Sequence, residues 1–190
     1  MKWSLPRSIE LPLVADAGAN PLLRSLARKR VPLGFVSAVV TAVLAHPTQA
    51  SWRVGLVIAI VGELIRIWAA GHLEKGREVT RSGPYRWSAH PLYVGSSVMA
   101  AGVVIAANSA IAGLLAVVYM VATLTAAVRT EEAFLRGRFG GAYDEYRRSE
   151  GEEMNRRFSM ARAWLNKEYR AVVGLLIGFV FLALRVAPPV

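Results

Sequence analysis

Two polar stretches stand out against an otherwise apolar chain. The first, "RSGPYRWSAHPLYVG", runs from Arg81 to Gly95 and sets Tyr85, Trp87, His90 and Tyr93 around the start of an apolar run at Pro91. Proline suits the first turn of a helix, where a missing N–H costs nothing. His90 then stands at a helix N-terminus, where a neutral imidazole is favoured and backbone N–H groups point outward. The second stretch, "VRTEEAFLRGRFGGAYDEYRRS", runs from Val128 to Ser149. Its adjacent Glu131 and Glu132 point to different faces of a helix, so one can face solvent while the other faces a site. Arg129, three residues before Glu132, adds a fixed positive charge. Imidazole, carboxylate and guanidinium together offer charge pairing and proton transfer. Blander readings fit the same residues. Tyr85, Trp87 and Tyr93 suit an aromatic belt at headgroup level. Ala133, Leu135, Phe139, Ala142, Tyr143 and Tyr146 suit the apolar stripe of a surface helix.

The chain that carries these groups has 190 residues, enough for one domain, and is 54% hydrophobic with a net charge of +10. These values conflict for a soluble protein and agree for an integral membrane protein with basic loops. The absence of cysteine excludes disulfides, thiolate metal sites and a cysteine nucleophile. His46, His72 and His90 lack ligand spacing, so no protein-built metal site is expected. Residues 1–30 are broken by charges and prolines and do not read as a signal peptide. No compact basic domain with base-stacking aromatics is present. The positive charge therefore reads as topology and contact with anionic lipid heads, not as nucleic-acid binding.

Five apolar segments predict an all-α, polytopic membrane protein: residues 31–45, 54–70, 91–107, 110–128 and 171–187. Helices are the default, because backbone polar groups in lipid must be satisfied within their own segment. The first segment is short and crosses only with local bilayer thinning. Asn108-Ser109 divides a 38-residue run too long for one crossing. Lys and Arg number six in residues 1–30, four in 71–90 and ten in 129–170. Five alternating spans put those basic segments on one side, which the positive-inside rule makes the cytosol. Both polar stretches and the N-terminus then face the cytosol and the C-terminus lies outside. In a bacterium the membrane would be the inner one. Gly76, Gly83 and Pro84 mark residues 71–93 as a loop or re-entrant turn. Glu63 and Arg66 share one helix face within the second span. Ionisable groups at that depth read either as functional or as an ion pair packed against another span.

Taken together, "GPYRWSAHPLYVG" and, after a helical hairpin, "RTEEAFLRGRFGGAYDEYRR" resemble the isoprenylcysteine carboxyl methyltransferase family. The wider group includes phospholipid N-methyltransferases. The resemblance covers about residues 65–148, and Ala89 stands where the pattern usually has Arg before His-Pro. It implies a cytosol-facing pocket for S-adenosylmethionine, with S-adenosylhomocysteine as product. Tyr85, His90, Pro91, Leu92 and Tyr93 match cofactor-contacting positions, as does the extended approach of Arg77, Glu78, Val79 and Thr80. Glu131 and Glu132 match an acidic pair of which one holds the cofactor, Glu132 being the one assigned a catalytic role. Arg129 resembles a substrate-side arginine.

Aromatic faces and a carboxylate suit a flat adenine and a cationic sulfonium. A carboxylate acceptor needs only alignment and desolvation, and Arg129 would orient it by a bidentate pair. An amine acceptor would need a Glu or His to remove a proton. The resemblance thus implies a methyltransferase acting on a lipid-like acceptor from the bilayer, an isoprenylcysteine-like carboxylate being favoured. An NADPH-dependent membrane reductase and a non-catalytic membrane protein are the alternatives. The chain divides into a basic N-terminal segment (1–30), a methyltransferase core (31–148), and an interfacial helix with an additional span (149–190). Gly174 and Gly178 in that span make a G-x-x-x-G spacing, which suits either packing within the chain or a homodimer crossing.

Overall fold

The computed structural model describes residues 21–150 and 154–186, and every regular element among them is helical. The first twenty residues of the basic N-terminal segment, residues 151–153 and residues 187–190 lie outside the described residues. Helix α1 spans Pro21–Leu44, α2 Gln49–Ala70, α3 Pro91–Ala107 and α4 Ala110–Phe139. Three shorter helices follow: α5 (Gly141–Arg147), α6 (Met160–Leu165) and α7 (Tyr169–Leu184). By length and composition, Ala110–Phe139 is long and apolar enough to cross a membrane, while Pro91–Ala107 and Tyr169–Leu184 are shorter apolar helices.

Two boundaries differ most from the sequence expectation. Helix α1 starts ten residues before the predicted span, because its basic first turns extend the same helix. Helix α4 does not stop at Val128 but continues to Phe139, since nothing from Arg129 to Phe139 breaks it. The break falls at Gly140, whose φ of 52° places it where a side chain is disfavoured. The expected Asn108-Ser109 break is present. Asn108 adopts the left-handed conformation that ends α3, and Ser109 caps α4 by accepting from the Ala112 N–H.

Small residues set the tightest helix contact. Gly55, Ala59 and Gly62 of α2 lie against Gly95, Gly102 and Ala106 of α3. A Cβ on Gly95 would come within 2.8 Å of the Gly62 carbonyl oxygen, and one on Gly102 within 2.6 Å of that of Gly55. Backbones approach this closely only where side chains are absent, and dispersion then operates over the whole length of the pair. Helix α1 pairs with α4, where the Tyr119 hydroxyl donates to the Arg30 carbonyl at 2.9 Å.

Helix α7 packs on α2 through buried Phe179 and Leu182, and the Trp52 indole donates to the Phe179 carbonyl at 3.0 Å. Arg66 joins the two helices at their other end. Its guanidinium lies 2.8 Å from Glu168, which caps α7, and 3.5 Å from Glu63. It also donates to Ser96 Oγ of α3. The Glu63–Arg66 pair is therefore a buried brace across α2, α3 and α7. Gly174 and Gly178 have nothing within reach of an added Cβ.

Candidate functional site

The segment from Gly71 to His90 leaves α2 and returns to α3 mostly as turns. Arg77 to Thr80 form no strand, and Gly83–Arg86 form one 3-10 turn. Gly83 has φ of 57°, and a Cβ there would meet the His72 ring at 2.7 Å. The buried His72 ring therefore supports this turn from below, with its Nδ1 3.0 Å from the Trp68 carbonyl.

Helix α5 fastens the loop from the other side. The Tyr146 hydroxyl donates to the carbonyls of Tyr85 at 2.7 Å and Ser88 at 3.3 Å. Burial pushes its phenol up to about 12, so it stays a donor at neutral pH. Arg81 reaches back, donating to the carbonyls of Ala142 at 2.7 Å and Glu150 at 3.0 Å. The Arg81 guanidinium also lies over the Tyr146 ring, 5.9 Å from its centroid. These reciprocal contacts join two segments about sixty positions apart in sequence.

With the loop held, His90 meets α4. His90 Nε2 lies 3.3 Å from Glu132 Oε1, and its Nδ1 lies 3.8 Å from Glu131 Oε2. Arg147 approaches Glu132 at 3.6 Å. The Glu132 side chain is 18% exposed and that of Glu131 44%, so the adjacent carboxylates divide between the interior and solvent. The His90 and Tyr93 rings stack with centroids 5.6 Å apart, and Arg30 reaches the Tyr93 hydroxyl at 3.5 Å.

These groups line an open cleft of about 490 Å³ between α3 and α4, within the roughly 300–1,000 Å³ typical of ligand sites. Its polar end is formed by Ser88, His90, Tyr93, Arg129 and Glu132. Val94 and Ser97 of α3 face Leu124, Thr125 and Val128 of α4 along the rest. Arg129 has no ion-pair or hydrogen-bond partner among the described residues, so its guanidinium remains available to a ligand.

Of the residues singled out from sequence, the cleft brings together His90, Tyr93, Arg129 and Glu132, with Glu131 beside them. Tyr85 is buried behind the lining, and burial raises its phenol far above the ordinary range. Pro91 is buried in the first turn of α3, as its residue type predicts, and Leu92 is half-buried next to it. Arg77, Glu78, Val79 and Thr80 are not among the lining residues. Arg77 is exposed beside Glu74, Glu78 pairs with Arg156 at 2.6 Å, Val79 is half-buried, and Thr80 is buried. Sequence reading missed Ser97 and Thr125, although hydroxyls inside apolar spans were a usable signal. It also missed Arg147 and the clamping roles of Arg81 and Tyr146, for which no local pattern exists.

Residues 50–142 match the family model for phospholipid methyltransferases. The matched stretch contains α3, the loop before it and α4, the elements that build the cleft. That stretch is similar to phospholipid methyltransferases, which belong to the wider group of membrane methyltransferases. The resemblance to isoprenylcysteine carboxyl methyltransferases holds at the level of that wider group. No curated protein and no solved structure matches the chain significantly.

Proposed function

We propose that this protein is a polytopic membrane methyltransferase that uses S-adenosylmethionine to methylate a lipophilic acceptor in a cytosol-facing cleft. The convergence of His90, Tyr93, Glu132 and an Arg129 with no partner among the described residues on one apolar-walled cleft carries this reading. The donor set fits the cofactor. Stacked rings suit a flat adenine, and carboxylates suit the cationic parts of the molecule. Tyr93, His90 and the acidic pair would hold it. When bound, S-adenosylmethionine supplies an electrophilic methyl group on a cationic sulfur.

The chain's own groups would act by position and charge. For a carboxylate acceptor, the Arg129 guanidinium holds both oxygens, and the apolar wall excludes water from the reacting end. Such an acceptor needs no base, and an isoprenylcysteine-like carboxylate meets this description. The family match favours a second acceptor, the amine of a phospholipid. His90 Nδ1 would then take up the amine proton, with Nε2–H donating to Glu132 and orienting the ring. Calorimetric titration of the detergent-purified chain tests the class. Binding of S-adenosylhomocysteine without NADPH is expected. NADPH binding instead would favour a reductase, and silence with both ligands a non-catalytic protein. Product analysis with carboxylate and amine lipids then separates the two acceptors.

A further inference from the structure

The family match ends at residue 142, and the segment from Met154 to Arg170 has no part in the cleft. One side of it is firmly held. Asn166 donates to the carbonyls of Ala70 at 2.9 Å and Leu73 at 3.0 Å. The Ser159 N–H donates to the Gly71 carbonyl at 3.1 Å, and Arg156 to that of His72 at 3.3 Å. The segment thus satisfies the carbonyls left open at the C-terminal end of α2.

The other side has no such partners. Met160, Trp164 and Leu165 are 63%, 64% and 76% exposed. Trp164 stacks on Tyr169 at 4.7 Å, and Arg170 lies over the Tyr169 ring. Arg157, Lys167 and Arg170 have no carboxylate partner among the described residues, whereas nearby Arg156 and Arg162 approach Glu78 and Glu74. Apolar tips and cations without a carboxylate partner among the described residues therefore share one short strap at the level where α2 ends and α7 begins.

We infer that this strap is an interfacial anchor, seating Met160, Trp164 and Leu165 among acyl chains while Arg157, Lys167 and Arg170 bind the phosphates of anionic lipids. The inference rests on the membrane reading above. An aromatic with an apolar body is stable at headgroup depth, and each cation near an anionic surface adds attraction that salt screens. Because the strap also caps α2 and holds Glu78, the lipid surface and the loop leading to His90 meet through it.

The test is deuterium uptake of residues 156–170 in the full chain, reconstituted in nanodiscs of phosphatidylcholine alone or with phosphatidylglycerol. We expect uptake slower by about fivefold with phosphatidylglycerol, equivalent to one cation's worth of attraction. The variant Arg157→Gln/Lys167→Gln/Arg170→Gln should erase the difference between the two discs and leave cofactor affinity unchanged. Equal uptake by the wild type in both discs, or a difference that survives in the variant, overturns the inference. Failure of the chain to enter either disc overturns the membrane reading as well, so the two failures are distinguishable.

Discussion

The hydroxyl of Tyr146 donates to the carbonyl of Tyr85 at 2.7 Å and so ties the last helix of the cleft region to the loop that delivers His90. Tyr146→Phe removes that bond and leaves the ring. We expect a stability loss of about 1 kcal/mol and weaker S-adenosylhomocysteine binding, read by thermal unfolding and calorimetry. Unchanged binding would show that the loop is held without it.

The acidic pair should not be equivalent. Glu132 is closer to His90 and less exposed than Glu131. Glu132→Gln should weaken S-adenosylhomocysteine binding about tenfold, the scale of one charge-assisted hydrogen bond. Glu131→Gln should have a smaller effect. Titration of both variants checks the order, and unchanged affinity in both would overturn the cofactor assignment.

Arg129 distinguishes the acceptors. With a carboxylate acceptor, Arg129→Lys should lower kcat/KM sharply, because an ammonium cannot reproduce the planar fork. Equal efficiency with Lys would point to an amine or uncharged acceptor. Steady-state kinetics on paired lipid substrates gives the answer.

The Arg66 brace is structural, so its loss should register as instability. Arg66→Leu would leave Glu63 and Glu168 buried without their counter-charge, a loss of about 3–5 kcal/mol. Arg66→Lys should recover part of it. Thermal unfolding in detergent measures both, and an unaffected Arg66→Leu variant would refute the brace.

Glycines at two sites should respond in opposite ways. Gly62→Val places atoms against the α3 backbone and should prevent folding. Gly174→Ile meets open space within the protomer and should fold normally. Size-exclusion chromatography with light scattering then reads oligomeric state directly for Gly174→Ile. A homodimer crossing at Gly174 and Gly178 would fall apart in this variant, while a wild type already monomeric in lipid would exclude it.

Much of this arrangement was readable from sequence because it depends on local chemistry. Apolar runs near bilayer length can satisfy their backbones only as helices. Asn108-Ser109 and Pro91 mark breaks and starts through the conformations those residues favour. Adjacent carboxylates must diverge on a helix, which is why Glu132 turns inward and Glu131 outward. The tertiary structure alone decided which distant groups meet. His90 reaches Glu132 across 42 positions and Arg66 reaches Glu168 across 102. Neither contact has a periodic signature. Both follow from how closely α2 and α3 approach, which the paired glycines permit, and from where the loop is clamped. The G-x-x-x-G spacing in α7 makes no close contact within the protomer, since Gly174 and Gly178 face open space. A small-residue stripe shows where helices can approach, and only the packed chain shows that the tightest approach lies at Gly55, Gly62, Gly95 and Gly102.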